Sequence, residues 1–271
     1  MMAEPQLYEL HDLARERGIE GFRRLSKSEL IEAIGDLPPP GATTVQRDIR
    51  ETLALLTLSG APDNALALET LEELATEAEQ LALDERVRVI AIIGAGSRVF
   101  STGADLARVE ELPGLEVTTR GSRALDRIAA LPVPTVALLN GHAVGGAVDL
   151  ALACDWRFAA QGAKLRFIHN ELGYSPPWGG AQRLARLIPP GSALRLFATC
   201  ELLSADEGRA LGIVDAVVQR EKLIGRAESL AVRVGRSSRD AVAITKALLG
   251  DRTAVGHEGA FAALWDAKLR T

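Results

Sequence analysis

The chain has 271 residues, 47% hydrophobic and 25% charged, which leaves room for one sizeable core plus an appendage and excludes a disordered composition. A formal net charge of −5 argues against a general nucleic-acid or anionic-membrane binder, either of which needs a basic face. Two cysteines, Cys154 and Cys200, in apolar helical contexts give no disulfide framework, and the run "VRVIAIIGAG" is far shorter than the ~20 residues of a membrane helix. With no basic segment leading into an apolar one at the start, the expectation is a cytoplasmic protein without a membrane segment.

The first segment, "LYELHDLARERGIEGFRRLSKSELIEAIG", reads as two or three short helices. Leu7, Leu10, Leu13 and Ala14 recur at helical spacing. Ser26 and Glu29 form a capping-box signature ahead of Leu30, Ile31 and Ile34. These residues resemble the N-terminal helical module of the Rho terminator, related in shape to SAP modules. The resemblance implies nucleic-acid contact, but residues 1–36 carry five Lys and Arg against eight Asp and Glu, which weakens phosphate binding and favours a docking role. The proline run of residues 37–44, "LPPPGATT", is expected to be an extended linker to a second unit.

From Val45 the pattern alternates. A mostly apolar strand in "VQRDIRETLALLTLSG" precedes the turn "SGAPDN", an amphipathic helix "ALALETLEELATEAEQLALD" and a buried strand "VRVIAIIGAG". Then come a helix "GSRALDRIAAL", a strand "PTVALLNG", a helix "AVDLALACD" and the extended "WRFAAQGAKLRFI". This is an α/β pattern, with a core over 45–204. Residues 205–271 read as a helical C-terminal region.

Two glycine turns carry the chemistry. "FSTGADL" follows one buried strand, and "NGHAVGGAVDLALACD" follows another. A strand that ends in glycine and enters a helix aims free backbone N–H groups at whatever sits above the helix start. Two such turns face to face would offer a pair of donors to one oxygen, an oxyanion hole.

These motifs, with "APDNAL", "GYSPPWGGAQRL" and "HEGAFAALW", resemble the crotonase (enoyl-CoA hydratase/isomerase) superfamily over residues 45–271. The resemblance implies a spiral of ββα turns and a C-terminal helical trimerisation region. It also implies a homotrimer or dimer of trimers acting on acyl thioesters of coenzyme A or a carrier protein. Coenzyme A or phosphopantetheine would enter as part of the substrate, with no further cofactor; His11 and His257 have no ligand spacing to one another, so no metal is expected. The oxyanion donors map onto the backbone N–H groups of Ala104 and Gly146. Ala65, Leu66, Ala104, Asp105 and Leu106 map onto the substrate-binding segments, and Tyr174 and Trp178 onto the acyl pocket wall.

In the family's hydratases two glutamates share one water. The first lies three positions after the oxyanion glycine, which here is Asp149; the second lies fifteen after the cysteine of "ACD", which here is His169. Glu171, two residues on, shares a face with His169 only if the segment is extended. A His near its ordinary pKa of about 6.5 serves as acid or base, and an adjacent Asp orients it. The expected activity is therefore an enoyl-thioester hydratase or isomerase using Asp149 and His169. The alternatives are C–C hydrolysis of a β-diketone, decarboxylation of an acyl thioester, or a non-catalytic scaffold tethered by its first module.

Overall fold

The computed structural model describes residues 44–60, 63–110 and 112–250, together with Leu10, Ser26, Lys27 and Leu30. The first helical module, most of the linker and the terminal "GHEGAFAALWDAKL" segment lie outside the described residues.

The chain enters as a hairpin, β1 (Thr44–Arg50) and β2 (Leu53–Ser59), turning through Glu51 at φ 52°. β1 carries exposed charged side chains, as suits a sheet edge that must not recruit other strands. Helix α1 (Leu68–Leu83) buries Leu68, Leu71, Leu74, Ala75, Ala78 and Leu81, which recur every three or four residues along one stripe.

Three repeats of one pattern follow. β3 (Val89–Gly94) leads to β4 (Val99–Ser101), then α2 (Leu106–Val109) and α3 (Gly114–Ala129). β5 (Thr135–Leu139) leads to β6 (His142–Val144) and α4 (Gly146–Ala153). β7 (Trp156–Ala160) leads to β8 (Lys164–Arg166), a 3-10 turn (Ile168–Asn170), α5 (Gly180–Leu187) and α6 (Pro190–Thr199). The chain ends as β9 (Leu202–Ser204), α7 (Ala205–Leu211), β10 (Ala216–Val218), α8 (Leu223–Val234) and α9 (Arg239–Gly250).

The first strand of each repeat joins a six-stranded sheet, β1-β2-β3-β5-β7-β10, and the second joins a four-stranded sheet, β4-β6-β8-β9. All neighbours among β3, β5 and β7, and among β4, β6 and β8, are parallel. This is the expected spiral of ββα turns. The central strands "VIAIIG" and "TVALL" are almost continuously apolar because both their faces are covered, with α8 packed on β2, β3, β5 and β7.

Three expectations are corrected. The strand expected in "VQRDIRETLALLTLSG" is a hairpin of two. Helix α3 starts at Gly114, seven residues ahead of the stretch "GSRALDRIAAL". The region after Ala205 is not wholly helical, because β10 adds to the large sheet beside β7. Buried Arg157 secures that addition, donating to the carbonyls of Ile213 and Cys154 and to the Asp215 carboxylate.

Candidate active site

Each small-sheet strand is three residues long, so the turns at its ends lie close together. Two buried asparagines fix them. Asn140 accepts from the Gly94 N–H and donates to the carbonyls of Gly94 and Gly96. Asn64 donates to the carbonyls of Ala95 and Phe100. Sequence reading passed over both; an amide closing a glycine turn after a buried strand is the signal that marks them.

The first glycine turn is pinned at three points. The Gly103 N–H donates to Ser101 Oγ at 3.0 Å, and the Leu66 N–H to the Gly103 carbonyl at 2.7 Å. The Asp105 N–H donates to the Leu66 carbonyl at 2.9 Å. Leu66 thus forms a parallel bridge with Ala104, whose own N–H is turned away from Leu66. At φ 92°, Gly103 leaves no room for a Cβ, which would overlap the Val144 carbonyl and lie 2.9 Å from the Gly146 nitrogen. The two turns are therefore in contact. Gly145 adopts φ 54°, ψ −122°, a conformation that a side chain resists, and its N–H is held by the Arg166 carbonyl. Gly146 is the first residue of α4, where backbone N–H groups have no helical acceptor. Among the described residues neither the Ala104 nor the Gly146 N–H has a backbone acceptor.

Asp149 stands one turn into α4 and His169 on the 3-10 turn after β8. His169 Nε2 lies 3.6 Å from Asp149 Oδ2, and both side chains are buried. The two carboxylate oxygens and two ring nitrogens have no hydrogen-bond partner among the described residues. Unpartnered buried polar groups cost folding free energy, so a set of four in one place points to a site.

Burial pushes the Asp149 carboxyl up to about 7. The Arg183 guanidinium and the Trp178 backbone N–H pull the other way, though neither completes a hydrogen bond with it. Burial pulls His169 down to about 4. Both shifts favour uncharged forms, a neutral carboxyl and a neutral ring.

Asp149 therefore weakens folding as pH rises. A carboxyl raised from 3.8 to about 7 adds no penalty below pH 4, and the penalty grows until about pH 7. His169 acts oppositely, since its stability is present above pH 6.5 and lost as pH falls toward 4. Asp149→Asn keeps the histidine contribution and removes the carboxylate one. Its unpaired amide costs less than a buried charge. At pH 8 the variant should melt at least ~3 °C above the parent, with the gain vanishing near pH 4. Calorimetric scans across pH check this, and a lower Tm at pH 8 would refute the unpaired-charge account.

The structure separates Glu171 from the pair. Because the segment is a 3-10 turn and not extended, Glu171 faces solvent and its carboxylate pairs with Arg166 Nη2 at 2.7 Å. Trp178 is fully buried. Its Nε1 donates to the Val117 carbonyl at 3.1 Å, and its ring fills the space left by Gly121 and Gly146.

A cleft of about 920 Å³ opens beside these turns, between the α2–α3 segment and the loop entering α5. Ala104, Leu106, Tyr174 and Trp178 are among its lining residues. Leu66 and Ala65 are buried behind the first turn. Tyr174 lines the cleft and sets its ring edge-on to His169, with centroids 5.9 Å apart, so the cleft wall is in contact with the pair.

An enoyl-CoA hydratase/isomerase family model matches residues 48–263. The chain belongs to this family. It is an enzyme of the enoyl-CoA hydratase/isomerase type. It is 36% identical over 187 residues to a crotonyl-CoA hydratase of Syntrophomonas wolfei, covering 68% of this chain and 72% of that one. It is 36% identical over 216 residues to a probable enoyl-CoA hydratase of Bacillus subtilis, covering 78% and 83%. The crystal structure of an enoyl-CoA hydratase from Bacillus anthracis superposes with a TM-score of 0.74 at 30% identity, over 83% of this chain and 89% of that one. A second model, the Rho termination factor N-terminal domain, matches residues 6–35. Among the described residues no helix is long and apolar enough to cross a membrane.

Proposed function

We propose that this enzyme hydrates or isomerises an enoyl thioester with Asp149 and His169 as its acid/base pair and the N–H groups of Ala104 and Gly146 as its oxyanion hole. One observation carries the reading: a buried Asp and His, all four of their side-chain polar atoms unpartnered among the described residues, approach to 3.6 Å beside two touching glycine turns.

The thioester oxygen accepts from both N–H groups, so negative charge arriving there on attack at the β-carbon is stabilised. The positive end of α4 adds to that stabilisation. The neutral His169 ring takes a proton from water as the water oxygen bonds to the β-carbon. The neutral Asp149 carboxyl gives its proton to the α-carbon as the enolate collapses. The resulting imidazolium and carboxylate return the pair to its starting state when one proton crosses from ring to carboxylate. For isomerisation the same two groups remove and return protons on a single allylic system.

The test presents crotonyl-CoA, a β-diketone and a malonyl-type thioester to the full chain, with products identified by mass. Addition of water to crotonyl-CoA supports the reading. Cleavage of the diketone or loss of carbon dioxide as the sole activity replaces it.

The first 36 residues are proposed to form a docking module joined by the proline linker. Deletion of residues 1–38 should then leave kcat/KM for a free coenzyme A thioester within about two-fold, since domains joined by such linkers fold separately. An insoluble or inactive truncation would show that the segment packs into the enzyme.

A further inference from the structure

The orientation of the His169 ring has no source in its own hydrogen bonds, since neither ring nitrogen has a partner among the described residues. It must come from the backbone that carries the ring and from the groups packed around it. Phe197 of α6 lies tilted at 48° to the imidazole and Tyr174 edge-on at 76°, each with its centroid 5.9 Å away. Phe197 is itself buried and set edge-on against Phe167, two residues before His169, at 5.0 Å. A Cβ built on Gly145 would meet Ile168 Cγ2 at 3.4 Å and His169 Nε2 at 3.9 Å, so the second glycine turn lies against the ring. Three pieces of chain therefore have to keep one register: the glycine turn, the 3-10 turn and the end of α6.

One residue, Arg166 at the end of β8, bonds to all three. It pairs with Val144 of β6 on one side and Leu202 of β9 on the other. Its carbonyl accepts the Gly145 N–H at 2.9 Å. Its Nε donates to the Cys200 carbonyl at 3.1 Å and its Nη2 to the Glu171 carboxylate at 2.7 Å. Cys200 is the left-handed residue that ends α6, three positions after Phe197. Glu171 closes the 3-10 turn, two positions after His169. The guanidinium thus bridges the end of the helix that packs on the ring and the end of the turn that carries it. A planar fork with donors in fixed directions suits such a bridge better than an ammonium does. With Arg166 35% and Glu171 53% exposed, the ion pair by itself adds little to folding.

We infer that Arg166 is a positioning residue: through Glu171 and the Cys200 carbonyl it holds the His169 imidazole in register with the second glycine turn. Glu171 then serves the reaction only through this bridge. This rests on His169 being the acid/base group proposed above. A displacement of about 1 Å at a reacting group costs up to ~10²-fold in rate, and loss of one restraint among several falls short of that.

The test makes Arg166→Met, Arg166→Lys, Glu171→Gln and the double variant Arg166→Met/Glu171→Gln in the full chain. Methionine removes the guanidinium and leaves the backbone carbonyl on Gly145. With crotonyl-CoA, Arg166→Met should lower kcat ~10-fold with KM within about two-fold. Glu171→Gln breaks half of the bridge and should cost ~3-fold, with Arg166→Lys between the two. The double variant should be no worse than Arg166→Met, because members of one bridge are not additive. A second arm needs no substrate: NMR follows the titration of the His169 ring. Burial holds that titration low, so a loosened ring that admits water should titrate at higher pH in both single variants. Asp149 and Tyr174, the titratable groups against the ring, are unchanged in both, and Phe197 and Gly145 present no charge to it. Removing the Glu171 anion would by its charge alone shift the ring the other way, so a rise in Glu171→Gln reports loosening. An unmoved kcat or an unmoved titration overturns the inference, as does a loss that appears in KM. If Arg166→Met does not fold, Glu171→Gln decides on both arms. If the parent turns over no thioester, the titration still decides whether the bridge holds the ring, and only the acid/base reading falls.

Discussion

His169→Ala should lower kcat by ~10²–10⁴-fold with little change in KM, the worth of a positioned acid/base group. His169→Gln keeps a polar planar group but cannot cycle a proton, so it should be nearly as damaging. Asp149→Asn should give a similar loss even though it raises Tm at pH 8. A variant that is both more stable and inactive separates the two roles of this carboxyl. The double variant should be little worse than either single one, because groups that pass one proton between them act as a unit. Single-turnover kinetics on folded proteins checks all four. If Glu171→Gln proves crippling while His169→Ala is mild, the acid/base role belongs to the solvent-facing carboxylate now held by Arg166. If all are mild, the oxyanion hole alone carries the reaction.

Gly146→Pro should abolish turnover, and a comparison with Gly146→Ala isolates the reason. Any Cβ at this position overlaps the Trp178 ring, so both variants share the packing damage. Only proline also lacks the N–H. Proline is tolerated at the first position of a helix, so α4 itself need not break. Loss of one oxyanion donor costs ~10²–10³ in kcat, and that factor should separate the proline variant from the alanine one. Circular dichroism must show both folded. Equal activities would remove the Gly146 N–H from the mechanism and leave Trp178 packing as the whole effect.

The alternation of strands and helices was legible because the central strands are almost continuously apolar runs closely followed by glycine, as in "VIAIIG" and "TVALLNG". Features that lacked such marks were not. The β1–β2 turn has Glu51 in the left-handed region, where a glycine would have announced it. The first turns of α3, "GLEVTTRG", hold two glycines and β-branched residues, a poor helical stretch that tertiary packing against α1 overrides. At three residues, β10 is too short for periodicity to detect. In the site, the positions of Asp149 and His169 followed from register. That their four polar atoms lack a hydrogen-bond partner among the described residues did not, because the surroundings of Asp149 come from Trp178, Gly180 and Arg183, some thirty positions later in the chain.

The placement of Trp178 has a consequence for descent. One indole occupies the space that side chains at 121 and 146 would otherwise fill, and Gly180, two residues on, yields room to a carboxylate. No single substitution at these positions is neutral, since a methyl at either glycine meets the ring and a smaller residue at 178 opens a void over the oxyanion turn. Drift at the three positions 121, 146 and 178 must therefore be concerted. Among homologous chains, a larger residue at 121 should be accompanied by a smaller one at 178, while 146 stays glycine wherever 178 is large. A lineage that loses the indole without enlarging its neighbour should be under pressure to abandon the reaction rather than to tune it.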